Sequence, residues 1–461
     1  MNYSRTVNYL YSLQKQGIKF GLDNTVRLLA LLGNPQDSFK TVHIAGTNGK
    51  GSTSAMVASI VKTAGFRAGL FTSPHMVSFT ERIRVNSVEI EEGEVVKLTA
   101  EIREAMAGSK EQRAWSQEMN SGLGTQDSTL NPTFFEFVTA LGLLYFKKKG
   151  VEWAVVETGM GGRLDATNAL LPLVTVITNV GLDHGEFLGR TLGEVAGEKA
   201  GIIKRGVPVV ISSQEDEALR VIEKKAKDMG STLSVYGRDF ISRPKKIDTQ
   251  GIIFDYEGKD KQEGLYVPLP GLHQLENASV ALRAVETLME GEPIPFAALR
   301  EGLANTKWPG RLELIKSERC SYDFLIDGAH NPAASRALAD SLKRVFLPGY
   351  ERMILILGIM ADKDVGGIMN PLLPLAFEAI FTSPGYERAA SPHRLSEYAA
   401  GMGFKSSVTG SVKEAMRQAR EMAGNYPGKT LIVITGSFYT IGEAKTHLGE
   451  KCHAPSLSGL R

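Results

Sequence analysis

The densest group of reactive residue types lies in VHIAGTNGKGS, residues 42–52, where an apolar run meets glycines, a lysine and a serine before the helical pattern TSAMVASIVKTAG. Strand, glycine loop and helix in that order make an anion cradle: residues without Cβ let backbone N–H groups approach phosphate oxygens, and the helix N-terminus adds its positive end. Gly46, Gly49 and Gly51 supply that freedom, Thr47, Asn48 and Ser52 complete the loop, and Lys50 brings a full positive charge. The spacing departs from GxxxxGK[ST], because Ile44 stands at the first glycine position and Gly51 separates Lys50 from Ser52. A turn needed only for tight strand-to-helix packing would give the lysine no purpose.

Further along, VVETGMGGRLDATN ends an apolar run at Glu157 and opens a glycine-rich loop with Arg163, Asp165 and Asn168. LVTVITNV repeats the arrangement and delivers Asp183 and His184 in GLDHGEFLG. In parallel sheets ligands sit at such carboxyl ends, so three strand ends are expected to converge on one crevice. Glu157 with hydroxyls suits Mg²⁺, which takes oxygen ligands and keeps several waters. His184 fits either that edge or a turn-capping role, and Glu157 could equally cap its loop. Lys199, in GEVAGEKAGIIK, reads on pattern alone as a surface lysine of an amphipathic helix. TSPHMVSFTERIRV, with Ser73, fits a substrate or metal edge or an ordinary polar loop, and the aromatic stripe of PTFFEFVTALGLLYF reads as helix core. A later strand end, LIDGAHNPAAS, carries Asp327, His330 and Asn331 after Arg311 of WPGRLE, a guanidinium suited to a phosphate oxygen or to a surface ion pair.

The elements that must hold these groups follow from periodicity. Apolar runs of strand length (40–45, 67–72, 151–157, 173–179, 207–212) alternate with helical patterns (53–64, 133–148, 191–203, 215–228), which predicts βαβ units and mostly parallel sheets. Residues 107–131 are polar, rich in Gly and Ser, and read as a surface loop or insertion. Residues 239–270 alternate as antiparallel strands expected at the edge of the first sheet. After a helix at 273–290, prolines and glycines mark a connection, and strands near 312–316, 322–327, 352–358, 377–382 and 430–435 begin a second series. The expected fold is α/β: a P-loop-containing N-terminal ATPase domain with a mostly parallel sheet (1–295), a linker (296–311) and a smaller Rossmann-like C-terminal α/β domain (312–461). Two polar strand ends on different domains point to an interdomain active site.

Composition narrows the function classes. Over 461 residues, 43% hydrophobic and 23% charged positions allow a large buried core. The 53 Lys and Arg against 51 Asp and Glu leave +2, which argues against a dedicated nucleic-acid binder. Two cysteines, Cys320 and Cys452, are too few for a disulfide framework or a zinc cluster. The N-terminus lacks a signal-peptide apolar segment and no run reaches the ~18 residues of a membrane span. A cytoplasmic enzyme, monomeric, without nucleic-acid or membrane partners, is the expectation.

GTNGKGS, TSPH, FFE, ETGMGGRLDATN, ITNVGLDHGEFLG, EKAGIIK, GLHQLENA, WPGRLE, IDGAHNP and TGSFYTIGEA together resemble the folylpolyglutamate synthase and dihydrofolate synthase family of the Mur ligase superfamily, in the family's order over residues 42–444. The resemblance implies an ATP-dependent ligase that joins the carboxylate of a folate or of dihydropteroate to the amino group of L-glutamate through an acyl phosphate, forming ADP and phosphate. It implies Gly49, Lys50 and Ser52 in the nucleotide loop, and Ser73, Glu157 and His184 as Mg²⁺ ligands. It further implies Lys199 as a carbamylated lysine, which overturns the surface reading, and Asn277, Arg311 and Asp327 as nucleotide contacts. His330 and Asn331 then line the glutamate side, with Lys50, Lys199 and His330 as the catalytic groups. Thr133, Phe135, Asp165 and Ala166 match positions that hold a pteridine. The competing readings are a Mur-type ligase with another acyl acceptor and a non-catalytic nucleotide switch; the latter would need neither Lys199 nor Arg311.

Overall fold

The computed structural model describes residues 2–17, 21–119, 130–183, 185–317 and 320–448. The chain forms two compact units: Met1–Ser73 with Phe79–Asp239 and Val280–Gly302, and Pro74–Ser78 with Phe240–Ser279 and Leu303–Arg461.

The first unit is built on an eight-stranded sheet. Its strands are β1 (Lys40–Ala45), β2 (Ala68–Phe71), β3 (Ile83–Val85), β4 (Val88–Glu89), β5 (Trp153–Glu157), β6 (Val174–Ile177), β7 (Val209–Ile211) and β8 (Leu233–Val235). They lie in the order β4-β3-β2-β5-β1-β6-β7-β8. β2, β5, β1, β6, β7 and β8 run parallel, while β3 and β4 close the edge as antiparallel strands. β1 is buried from Thr41 to Ala45 because helices cover both faces, which is why it reads as a continuous apolar run. One face packs on Phe137, Leu141 and Phe146 of the Phe134–Lys148 helix around Phe71 and Val156, and further along on Val195, Ile203 and Ile222 around Ile177 and Ile211. The expected aromatic stripe is therefore core at 137, 145 and 146, each at most 5% exposed.

The second unit holds two sheets. β12 (Glu313–Ile315), β13 (Tyr322–Ile326), β14 (Arg352–Leu357), β15 (Glu378–Phe381), β16 (Ser406–Val408) and β17 (Thr430–Thr435) form a sheet ordered β12-β13-β17-β14-β15-β16, parallel except for β12. Alternation along β17 sends Leu431 and Val433 to one core and Ile432 and Ile434 to the other, the mark of a sheet covered on both sides. The mixed α/β architecture with a large, mostly parallel sheet agrees with the sequence reading.

Two expectations fail. Residues 107–119 are helical, the end of the Glu92–Met119 helix, because Ala, Lys, Glu, Gln, Arg and Met are good helix formers even where apolar periodicity is absent; 120–129 lie outside the described residues. The 239–270 segment forms strands β9 (Ile241–Asp248), β10 (Gly251–Glu257) and β11 (Lys261–Val267), but they make their own three-stranded sheet and do not extend the first one. Pro244 lacks an N–H and Lys245 and Lys246 are exposed, which suits β9 to an unpaired edge. This segment lies in the first domain as bounded from the sequence and in the second unit by its contacts.

Candidate active site

In the first unit, register brings the chemistry-bearing residues to one edge. Ile44 pairs with Glu157 and Ala45 with Ile177, so the glycine loop leaves β1 between the carboxyl ends of β5 and β6. β2 lies on the other side of β5 and delivers Ser73. The helix after the loop begins at Lys50, three residues earlier than its apolar pattern indicates, with Gly49 as N-cap at φ 91°. Gly46 has φ 149°, and a Cβ there would collide with Thr178 Oγ1, so both a left-handed conformation and close approach require glycine.

The loop is held from one side. The N–H of Thr47 donates to Asn179 O at 2.7 Å and that of Asn48 to the same oxygen at 3.4 Å, while Thr47 Oγ1 and Gly181 exchange two hydrogen bonds. The N–H groups of Lys50, Gly51 and Ser52 lie in the first helical turn, beyond the reach of intrahelical carbonyls, and are the donors suited to an anion.

Four groups close around this loop. Lys50 Nζ donates to Gly46 O at 3.0 Å and Thr47 O at 3.2 Å, and stands 3.9 Å from Glu157 Oε1. The other Glu157 oxygen accepts the Ser73 N–H at 3.2 Å. Lys199 Nζ donates to Gly46 O at 2.8 Å. Lys199 is only 3% exposed, so the structure corrects the surface reading of its helix, Leu192–Ala200. Burial, reinforced by the Lys50 charge, pulls its ammonium down to about 7, with Asp183 and Asp165 acting in the opposite sense.

Glu157 and the adjacent Ser73 are hard oxygen donors, the type Mg²⁺ prefers, and water can fill the rest of an octahedron, so these residues fit the ion. Among the described residues, no group of three or more His, Cys, Asp or Glu side chains could hold a metal. His184, the third expected ligand, lies outside the described residues.

The 159–169 loop gathers the pteridine candidates. Asp165 Oδ2 accepts the N–H groups of Gly159 and Met160, and Oδ1 accepts Thr167 N–H and Thr167 Oγ1–H. Burial raises the Asp165 carboxyl and these four hydrogen bonds oppose it. All four are donations to the carboxylate, so the geometry fits the charged form. Phe135 covers Gly159, where a Cβ would stand 2.5 Å from the ring. Thr133 caps the Phe134–Lys148 helix in a capping box with Glu136, and Ala166 is buried in the turn that follows Asp165.

In the second unit, Asp327 follows β13 with one carboxylate oxygen on Leu312 N–H and the other on Ala329 N–H, both at 2.9 Å. Burial raises its carboxyl and the Arg311 charge opposes that. Arg311 lies 4.8 Å over the Phe438 ring, against Gly328, where a Cβ would stand 2.6 Å from the guanidinium. His330 Nδ1 is 2.8 Å from Gly328 O, a carbonyl that can only accept, so a proton sits on Nδ1, and in the neutral ring Nε2 is the acceptor. Asn331 is the N-cap of Pro332–Ser341, its Oδ1 accepting Ala334 N–H. Asn277 is buried and donates to Gln274 Oε1.

Sequence reasoning passed over Thr167, His43 and Asn179, whose roles depend on partners distant in the chain. The Asn179 carbonyl that holds the loop carries no side-chain signal at all.

Residues 44–285 match the Mur ligase middle domain and 310–438 the Mur ligase glutamate ligase domain. The chain is 35% identical over 455 residues to a folylpolyglutamate synthase of Lacticaseibacillus casei, covering 98% of this chain and 100% of that one. It is similar to the solved structure of a Mycobacterium tuberculosis folylpolyglutamate synthase complexed with ADP and AMPPCP, with TM-score 0.87 and 33% identity over 98% of this chain and 100% of that one. It is also similar to E. coli FolC in complex with DHPP and ADP, with TM-score 0.82 and 27% identity over 96% and 97%.

Proposed function

The chain belongs to the folylpolyglutamate synthase and dihydrofolate synthase family of Mur ligases, and from that premise we propose that it is an ATP-dependent ligase adding L-glutamate to a folate and to dihydropteroate. The observation that carries the reading is the convergence of Lys50, Glu157, Ser73 and buried Lys199 on one glycine loop. A nucleotide switch has no use for a second, buried amine there.

The chemistry has a physical requirement. A carboxylate is a poor acceptor for an amine, so one of its oxygens first attacks the γ-phosphorus of ATP, the bond to ADP breaks, and an acyl phosphate forms. The glutamate amine then attacks the acyl carbon, phosphate departs with its oxygen, and the nitrogen loses a proton. Lys50, already fixed by two carbonyls, neutralises charge on the transferring phosphoryl group without reorganisation, and the first-turn N–H groups hold its oxygens. Mg²⁺ held by Ser73, Glu157 and His184 would supply further charge neutralisation.

Lys199 we assign as the carbamate. Its unprotonated amine joins CO₂, forming an N–C bond and releasing one proton, which turns a cation into an anion suited to the metal edge. An amine with its ammonium near 7 is available for that step at neutral pH, unlike an ordinary lysine. Asn277, Arg311 and Asp327 serve as nucleotide contacts and Asn331 lines the glutamate side, while His330 offers Nε2 to the amine proton. Thr133, Phe135, Asp165 and Ala166 hold the pterin. A cytoplasmic monomer is the proposed state, and among the described residues no helix is long and apolar enough to cross a membrane.

The test is product mass with ATP and glutamate, using dihydropteroate and tetrahydrofolate separately. The expected product gains one or more glutamyl residues with stoichiometric phosphate. ATP consumption without a new amide from either acceptor ends the reading, and an amide formed only with a non-pterin acid would move the chain to another Mur-type specificity.

A further inference from the structure

β1 carries a histidine in its buried stretch, three residues before Gly46. His43 has no exposed surface, and its strand neighbours are Val156 and Thr175. Its Nε2 lies 2.8 Å from Thr167 Oγ1. The one Thr167 hydroxyl proton points to Asp165 Oδ1 at 2.6 Å, so toward the imidazole that oxygen can only accept. The ring therefore carries its proton on Nε2, an assignment made from the network. Nδ1 is buried and has no partner among the described residues. Burial keeps the ring neutral, with its protonation pushed down to about 3.

An apolar residue would suit this strand better, because a half-satisfied buried imidazole loses hydration that one hydrogen bond does not fully restore. What His43 adds is the Thr167 contact, and that contact leads to a single node. Asp165 has all four of its acceptor positions filled by its own loop, Gly159 and Met160 on one oxygen and Thr167 twice on the other. The carboxylate is thus the centre on which the loop is wound, and the Gly159 it holds lies under the Phe135 ring. The far side of the loop is fixed separately, by Arg163 N–H on Glu198 O at 2.7 Å and Asn168 on Gly201 O at 3.2 Å.

We propose that His43 is a positioning residue for the acyl acceptor: through Thr167 it fixes Asp165 and so the surface that Gly159 and Phe135 present to a flat, pterin-type ring. The inference rests on the pterin-ligase reading above and deepens it. It separates two functions of one strand, whose end shapes the phosphate loop while its interior sets acceptor affinity.

The experiment is steady-state ADP formation by the full chain, varying dihydropteroate at saturating ATP and glutamate and then varying ATP. His43→Leu and Thr167→Val each raise KM for dihydropteroate about tenfold or more, the scale of a lost hydrogen bond in a charged network, and leave KM for ATP within about twofold. His43→Gln, whose amide N–H reaches toward the Nε2 position, and Thr167→Ser restore acceptor KM. The His43→Leu/Thr167→Val pair is no worse than Thr167→Val alone, because both changes cut one chain. Equal rises in both KM values, a fall in kcat alone, or Gln performing no better than Leu would overturn the proposal. If His43→Leu does not fold, the Thr167→Val and Thr167→Ser comparison decides by the same split. Failure of the wild-type chain to form an amide from either pterin acid would instead remove the reading beneath it.

Discussion

Lys199 and Gly46 are joined by a 2.8 Å hydrogen bond from the ammonium to the carbonyl oxygen, across 153 positions of sequence. Lys50 donates to the same carbonyl at 3.0 Å, so two amines share one acceptor in a largely dry site. Burial, with the neighbouring Lys50 charge added, makes Lys199 give up its proton far more readily than an ordinary lysine. In the proposed mechanism this divides the work: Lys50 faces the phosphate, and Lys199 is the amine offered to CO₂.

Activity is therefore expected to depend on CO₂ through Lys199. Removing dissolved CO₂ and bicarbonate at pH 7 lowers turnover, and restoring bicarbonate recovers it. Lys199→Ala loses activity and regains part of it with added short carboxylic acids, which stand in for the carbamate. The check is ADP release with and without formate or acetate. Full activity of Lys199→Ala without any addition would return this residue to a packing role.

Lys50→Ala removes the charge that the proposed mechanism sets against the transferring phosphoryl group and also the two contacts that draw the loop onto the helix. The expected loss in kcat is about 10²–10³-fold or more, the range for one preorganised electrostatic group. Near-normal ADP formation in that variant would contradict the site.

Gly46→Ala meets two obstacles: φ of 149° and the Thr178 hydroxyl where the methyl would go. The expected cost is about 1–3 kcal/mol from the backbone conformation alone, with loss of nucleotide binding as the loop shifts. Thr178→Ala in the same chain relieves the collision and not the φ strain, so it recovers stability only in part. Thermal unfolding and ADP titration of the single and double variants measure both, and complete recovery in the double variant would show that the backbone angle carries no cost.

What could be read from the sequence was local. Strand ends at Ala45, at Glu157 and, within two residues, at Ile177 (read as 179) were visible because apolar runs stop at glycine or polar loops, and parallel-sheet topology then sends them to one edge. Lys199 was not legible, since LGEVAGEKA is an ordinary helical pattern and only Gly46 and Lys50, far away in sequence, decide its burial. Nor was the 107–119 helix, where composition without periodicity resembles a loop. Thr167 gave no signal because its hydroxyl matters only between His43 and Asp165, and a strand histidine reads as one more core residue.

The family resemblance puts Asn331 on the glutamate side, and in the structure its side chain caps a helix. Asn331→Ala is expected to cost about 1 kcal/mol of stability as a lost N-cap, seen as a lower Tm. Asn331→Asp keeps the cap, so its effect on KM for glutamate reports the second role alone. An unchanged KM in the Asn331→Asp variant alongside a wild-type Tm would leave only the cap.

His43 also makes an acid-stability prediction. In the folded chain it stays neutral down to about pH 3, whereas an unfolded histidine takes up its proton near 6.5. Between those values the unfolded state binds more protons, so acidification favours unfolding. The contribution is fully present above pH 6.5 and is lost as pH falls toward 3. Going from pH 6.5 to 5 this one group removes about 2 kcal/mol, at 1.36 kcal/mol per unit. His43→Gln cannot take up that proton, so denaturant unfolding at pH 7 and pH 5 should show a smaller loss in the variant by about this amount. Equal losses in the two proteins would mean that the imidazole is protonated in the fold, and the Nε2–H contact to Thr167 would no longer identify a neutral tautomer.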